Sequence, residues 1–168
     1  MNPVIEQFAA ECHDILKEDP GAGGLERVRQ GLEKLLVDDS VIKEYFGPDQ
    51  HKPRDILYED PELGFCIIAH IHTDVSVRNP HDHGPSWAIY GQVEGVTEMT
   101  EFRLLEKPGD DNPGKVEPVK TYDLKPGMAV VYEPGVLHAP TRREPTRLLR
   151  IEGLNMDSIK RDKFEKVA

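Results

Sequence analysis

The stretch Gly127-Met-Ala-Val-Val-Tyr-Glu-Pro-Gly-Val-Leu-His138 decides how the chain is read. A short apolar run ends at Pro134-Gly135, which supply the fixed φ and the positive φ of a tight turn, and His138 follows at the start of the next strand. Upstream, His81 and His83 stand two apart at a strand end. Side chains alternate along a strand, so both imidazoles share one face and Asp82 takes the other. Gly95 closes the apolar run Trp87–Val93 as a turn residue would. Two histidines aimed at one point and a third delivered by a turn form a candidate site for one divalent metal ion.

The rest of the chain divides by texture. From Pro3 to about Lys17, Val4, Ile5, Phe8, Ala9, Cys12, Ile15 and Leu16 recur at three- and four-residue steps, with Asn2 as cap and Pro3 as first helical residue. A second helical pattern follows (Leu25, Val28, Leu32, Leu35, Leu36), then a short third one from Val41 to Phe46. Beyond residue 50, β-branched and aromatic runs cut by Gly and Pro predict short strands of a sandwich or barrel. Glu106–Lys120, rich in Pro, Gly and charge, reads as a surface loop.

Composition narrows the partners. The 168 residues carry 21 basic and 31 acidic side chains, a formal charge of −10, which disfavours nucleic acid and anionic membrane. No segment approaches the roughly 20 apolar residues of a membrane span, and the acidic start Met1–Asp14 lacks the basic region of a signal peptide. Cys12 and Cys66 fit no disulfide or zinc-ribbon spacing and are expected as free thiols. The expectation is a cytoplasmic protein acting on a small molecule, with edge-strand pairing into a homodimer left open.

The combination of Pro80-His81-Asp82-His83, the downstream Gly95 and G-x6-P-G-x-x-H resembles the two signature motifs of the cupin superfamily over roughly residues 75 to 153. The resemblance implies a mostly β fold, a cupin double-stranded β-helix (jelly-roll) barrel with N-terminal α-helices. The chain is accordingly expected as one domain, with a helical segment at 1–50, the barrel at 51–156 and a C-terminal tail at 157–168. It also implies His81, His83 and His138 as metal ligands. Cupins commonly add a carboxylate ligand four or five residues after the second histidine, where this chain has Trp87 and Ala88. Three neutral imidazoles leave the metal its full positive charge, which favours an anionic co-ligand, and they leave coordination positions open.

The three-histidine variant, with His81, Asp82, His83 and Ser86 in the pattern H-D-H-x-x-S and helices ahead of the barrel, is similar to the cysteine dioxygenase group. That resemblance implies a mononuclear Fe(II) centre oxidising a small anionic thiol with O2, and a role for Arg54 in holding the substrate carboxylate. The strand after the third ligand, Thr146–Glu152, has neither the His nor the Tyr found there in that group. Other candidates come from alternation. His70 and His72 share a face, and His72 is a candidate acid–base group. Tyr90 and Gln92 share the face of Ala88, giving Tyr90 a proton-handling role and Gln92 a ligand-binding one. Arg150 and Glu152 bring charge into an apolar strand, and Arg150 is a second candidate for holding the anion. Zinc, nickel or manganese would suit the imidazoles as well as iron. A cupin that binds without oxidising, or a metal-assisted isomerase, is the alternative.

Overall fold

The computed structural model describes residues 1–167. Three helices come first: α1 (Pro3–Glu18), α2 (Ala22–Leu35) and α3 (Asp39–Tyr45). Asn2 caps α1, its Oδ1 accepting from the Val4 N–H at 2.8 Å, and Pro3 occupies a position whose N–H needs no partner. Asp38 caps α3 in the same way, accepting from Ser40 and Val41.

Ten strands follow: β1 (Arg54–Glu59), β2 (Cys66–His72), β3 (Ser76–Val77), β4 (Ala88–Glu94), β5 (Thr97–Glu106), β6 (Gly114–Leu124), β7 (Ala129–Tyr132), β8 (Leu137–Arg142), β9 (Thr146–Glu152) and β10 (Phe164–Lys166). They form two five-stranded sheets, β1-β2-β9-β4-β7 and β10-β6-β5-β8-β3. The result is a mostly β, double-stranded β-helix barrel with helices at its N-terminal end, the fold class read from the histidine motifs.

The first sheet is buried on both faces. Ile67, Ala69, Ile71, Ile89, Leu149 and Ile151 pack outward into one core with Ile5, Phe8, Leu25, Val28 and Leu32 of the helices. Ala88, Tyr90 and Leu148 face the opposite way, into a second cluster with Met99, Leu124 and Tyr132. Two-sided burial explains why β2 reads as a nearly unbroken apolar run from Cys66 to Ala69. Gly91 marks the closest approach of α2 to β4: a Cβ there would lie 2.7 Å from Leu36 Cδ2 and 3.0 Å from Leu32 Cδ2.

Two sequence expectations change. The expected loop Glu106–Lys120 is mostly strand, since β5 runs to Glu106 and β6 begins at Gly114. Pro118 is accommodated because β10 pairs only with Gly114–Val116, leaving the rest of β6 as an open edge. The expected tail from 157 returns as β10, parallel to β6, with Phe164 packed on Val116 and Leu137; Ala168 lies outside the described residues.

Asp60, buried at the β1–β2 turn, ties α1 to the barrel. It accepts from the N–H groups of Glu62 (3.0 Å) and Leu63 (2.6 Å), from Tyr58 Oη (3.0 Å) and from His13 Nδ1 (2.9 Å). Burial opposes its ionisation, but these donors outweigh it and hold the carboxyl below its usual range. Asp60→Ala strands four donors and is expected to cost about 3 kcal/mol, a melting temperature lower by about 6–12 °C in thermal denaturation. Because the folded pKa is depressed, the wild-type advantage is complete above the unfolded value of about 4 and is lost as pH falls through the folded one. A gap between the two proteins that persists in strong acid would contradict this account.

Candidate metal centre

His81 and His138 are placed by their own backbones, each N–H donating to the other's carbonyl at 2.9 Å. The φ of +81° at Gly135 makes the turn that delivers His138. Between His81 and His83, Asp82 turns outward and accepts from the Gly84 N–H at 3.0 Å. Ser86, the other member of the H-D-H-x-x-S pattern, is structural: its hydroxyl donates to Trp87 O and accepts from Leu154 N, pinning the ligand loop to the end of β9. Trp87 packs against Gly153 and accepts its N–H.

The three ligand nitrogens lie within 4.8 Å of one another. His81 Nδ1 is 3.1 Å from Asn79 O, and His138 Nδ1 is 3.0 Å from Val136 O. A carbonyl only accepts, so both rings carry their proton on Nδ1 and turn the Nε2 lone pair inward, the usual support of a metal-ligating histidine. His138 is further held by Tyr132, stacked on its ring at 3.9 Å between centroids, and Tyr132 Oη is in turn 2.5 Å from Tyr122 Oη. The His83 ring stacks on that of His138 at 5.2 Å.

Burial holds all three imidazoles neutral: it lowers His81 to about 4 and pushes His83 and His138 lower still. His83 Nε2 and His138 Nε2 lie only 3.3 Å apart. Donors about 2.0–2.1 Å from a tetrahedral metal are themselves about 3.3 Å apart. The residues therefore fit a divalent ion, and the imidazole donors suit Fe(II), Zn, Ni or Mn.

Tyr90, 1% exposed, reaches this point from β4. Its Oη lies 2.9 Å from His83 Nε2, 3.1 Å from His138 Nε2 and 3.5 Å from His81 Nε2. Arg150 covers the Tyr90 ring at 4.2 Å and pairs with Glu152 at 3.2 Å.

The site opens into a cavity of about 990 Å³, lined by His70, His72, His81, Tyr90, Arg142 and Arg150 among others. His70 and His72 stack with centroids 5.7 Å apart, and the Nε2 of each is buried without a partner. Burial, then the charge of Arg142, lowers His72 to about 4. It is thus held neutral at the cavity wall, where the acid–base candidate read from its position stands. Four arginines line the cavity, Arg78, Arg142, Arg150 and Arg161, against the acids Asp162 and Glu165. A protein of net charge −10 has a cationic interior mouth.

Arg142 was not singled out in the sequence. It is 2% exposed, makes no ion pair among the described residues, and its Nε is buried without a partner. The signal was available in the two-residue step from His138 through Pro140 to Arg142 along β8. Two expected ligand-binding residues are elsewhere. Arg54 does not line the cavity: it is 3.1 Å from Asp157, 3.5 Å from Asn155 and 3.6 Å from Glu152, so its charge is already answered. Gln92 lies below the cavity with its amide consumed, donating to Glu94 O and Gly95 O and accepting from Thr97 Oγ1. Cys12 and Cys66 are buried free thiols, with Cys66 pushed to about 11 by burial. Among the described residues no helix is long and apolar enough to cross a membrane.

No protein-family profile matches the chain, and no curated protein does. Solved structures do, at low identity. A cupin superfamily protein from Desulfitobacterium hafniense aligns with TM-score 0.43 and 13% identity over 61% of this chain and 76% of that one. A cupin-2 domain containing protein from Shewanella frigidimarina gives 0.45 and 17% over 70% and 95%. An uncharacterized conserved protein with a double-stranded β-helix domain from Klebsiella pneumoniae gives 0.43 and 17% over 66% and 84%.

Proposed function

We propose that the protein is a metal-dependent cupin acting on a small anionic molecule, as a mononuclear non-haem iron oxygenase whose preferred substrate is a thiol bearing a carboxylate. The observation that carries the anionic part is Arg142, a buried guanidinium without an acidic partner among the described residues, on the same strand and face as His138. An unpaired buried charge costs several kcal/mol and is retained where a ligand supplies the counter-charge. A bound divalent iron supplies a Lewis acid and a redox centre at the three imidazoles.

The chain's own residues do the rest. Arg142 receives the carboxylate, with Arg150 as the second cation beside it, and the planar guanidinium matches two carboxylate oxygens at once. His70 and His72 offer neutral rings whose buried Nε2 atoms have no partner among the described residues and can hydrogen-bond the ligand. His83 and His138 are buried on the barrel side of the centre, and half-buried His81 borders the cavity through which a ligand would enter.

Protein loaded anaerobically with Fe(II) is expected to consume O2 on addition of cysteine or 3-mercaptopropionate, followed with an oxygen electrode. Saturable binding of these compounds without O2 uptake would move the protein to a second reading, a cupin that binds anions without oxidising them. The lack of His and Tyr in β9, where the thiol dioxygenases carry both, favours that alternative. Neither binding nor uptake would reject both.

A further inference from the structure

The geometry points to Tyr90 as a fourth protein ligand of the metal, making the centre a three-histidine, one-tyrosine site rather than a three-histidine one. This deepens the proposed function and rests on its claim that the histidines hold a metal.

Three observations carry it. The first is the placement of the phenol oxygen, 2.9, 3.1 and 3.5 Å from the three Nε2 atoms. A hydroxyl lying beside one histidine would satisfy a single hydrogen bond. One lying this close to all three occupies a vertex of the same donor polyhedron, with edges of the size that donors about 2.0–2.1 Å from a metal produce.

The second is proton accounting. Tyr90 Oη has one proton and, among the described residues, no partner except these nitrogens. Two of the nitrogens already hold their proton on Nδ1, facing a carbonyl. One O–H can answer only one of those two lone pairs, and a cation at the centre would engage the nitrogen that the phenol leaves without a donor.

The third is how the ring is held. Tyr90 shares its face of β4 with Ala88 and packs in one cluster with Tyr132 and Leu148. Tyr132 stands edge-on to the ring at 5.3 Å, and the Arg150 guanidinium covers it at 4.2 Å. That cation offsets the negative charge of a phenolate, which burial alone disfavours. On coordination the O–H bond breaks, its proton goes to the buffer, and the oxygen's electron pair forms the bond to the metal. The centre thereby loses one unit of net charge and one open position.

The test reads the metal's spectrum, not turnover. Protein is loaded anaerobically with one equivalent of Fe(II), its iron content is measured by atomic emission, and it is oxidised with one equivalent of ferricyanide, which takes the single electron. Wild type is expected to develop a visible phenolate-to-iron(III) charge-transfer band that Tyr90→Phe lacks at equal iron content. Tyr90→Phe is also expected to bind Zn(II) at least about 10-fold more weakly in competition with a chromophoric chelator. Resonance Raman of wild type alone gives a check that does not depend on the variant's folding: phenolate ring modes should be enhanced and should shift in protein grown on ring-deuterated tyrosine. Wild type that holds iron(III) without these modes overturns the tyrosine assignment and leaves the three-histidine metal site standing. Wild type that holds no metal overturns the assignment together with the function it rests on.

Discussion

Arg142→Met is expected to make the protein more stable and less able to bind its ligand. The guanidinium is 2% exposed, has no ion pair among the described residues and leaves Nε without a partner, so the empty site bears its desolvation uncompensated. Burial and the neighbouring Arg150 lower its pKa only to about 10, which leaves it charged at neutral pH. Methionine keeps much of the apolar stem and removes the charge, for an expected gain of about 1–3 kcal/mol and a melting temperature higher by about 2–12 °C. The same change removes a charge-assisted hydrogen-bonding partner, and the affinity of the Zn(II)-loaded protein for 3-mercaptopropionate should fall about 10–100-fold. Calorimetry and thermal denaturation on one sample test both halves. A variant that melts lower and binds unchanged would make Arg142 a structural residue.

The second large effect is on the metal itself. A divalent ion that binds only the folded chain stabilises it by about 4 kcal/mol when free metal is about 1,000 times the dissociation constant, so Zn(II) is expected to raise the melting temperature by about 8–16 °C and a chelator to reverse the rise. His138→Ala removes the ligand that is stacked on Tyr132 and bonded through its backbone to His81. Two imidazoles remain, and after desalting the variant should carry well under one equivalent of metal. Its melting temperature should then respond to Zn(II) by about 2 °C or less. An equal rise in both proteins would place the stabilising ion somewhere other than these histidines.

What the sequence revealed follows from how local the physics is. His81, His83 and His138 could be grouped because strand alternation and a Pro-Gly turn are short-range rules, and the same alternation put Tyr90 on the face of Ala88. Arg54 was misjudged because what decides a charge's role is its partner. Glu152 and Asp157 lie about a hundred residues away and meet it only across the folded sheet. Gln92 was on the correct face but too far along β4, where a local bulge and turn consume its amide. The Glu106–Lys120 segment reads as a loop because proline and charge are tolerated on an open edge strand as well as in a turn. Two-sided burial left no polar face to read in the first half of β2, since helices cover its outer side.

That helical cover also divides the molecule by how freely it can change. With α1 and α2 packed across the first sheet, substitutions on its outer face propagate into a shared core and are constrained by it. Arg78, on the turn after β3, and Arg161, ahead of β10, border the cavity from segments with few such obligations. A lineage could retune which anion is admitted by altering those two segments alone, while the histidines and the helix-backed sheet stay as they are.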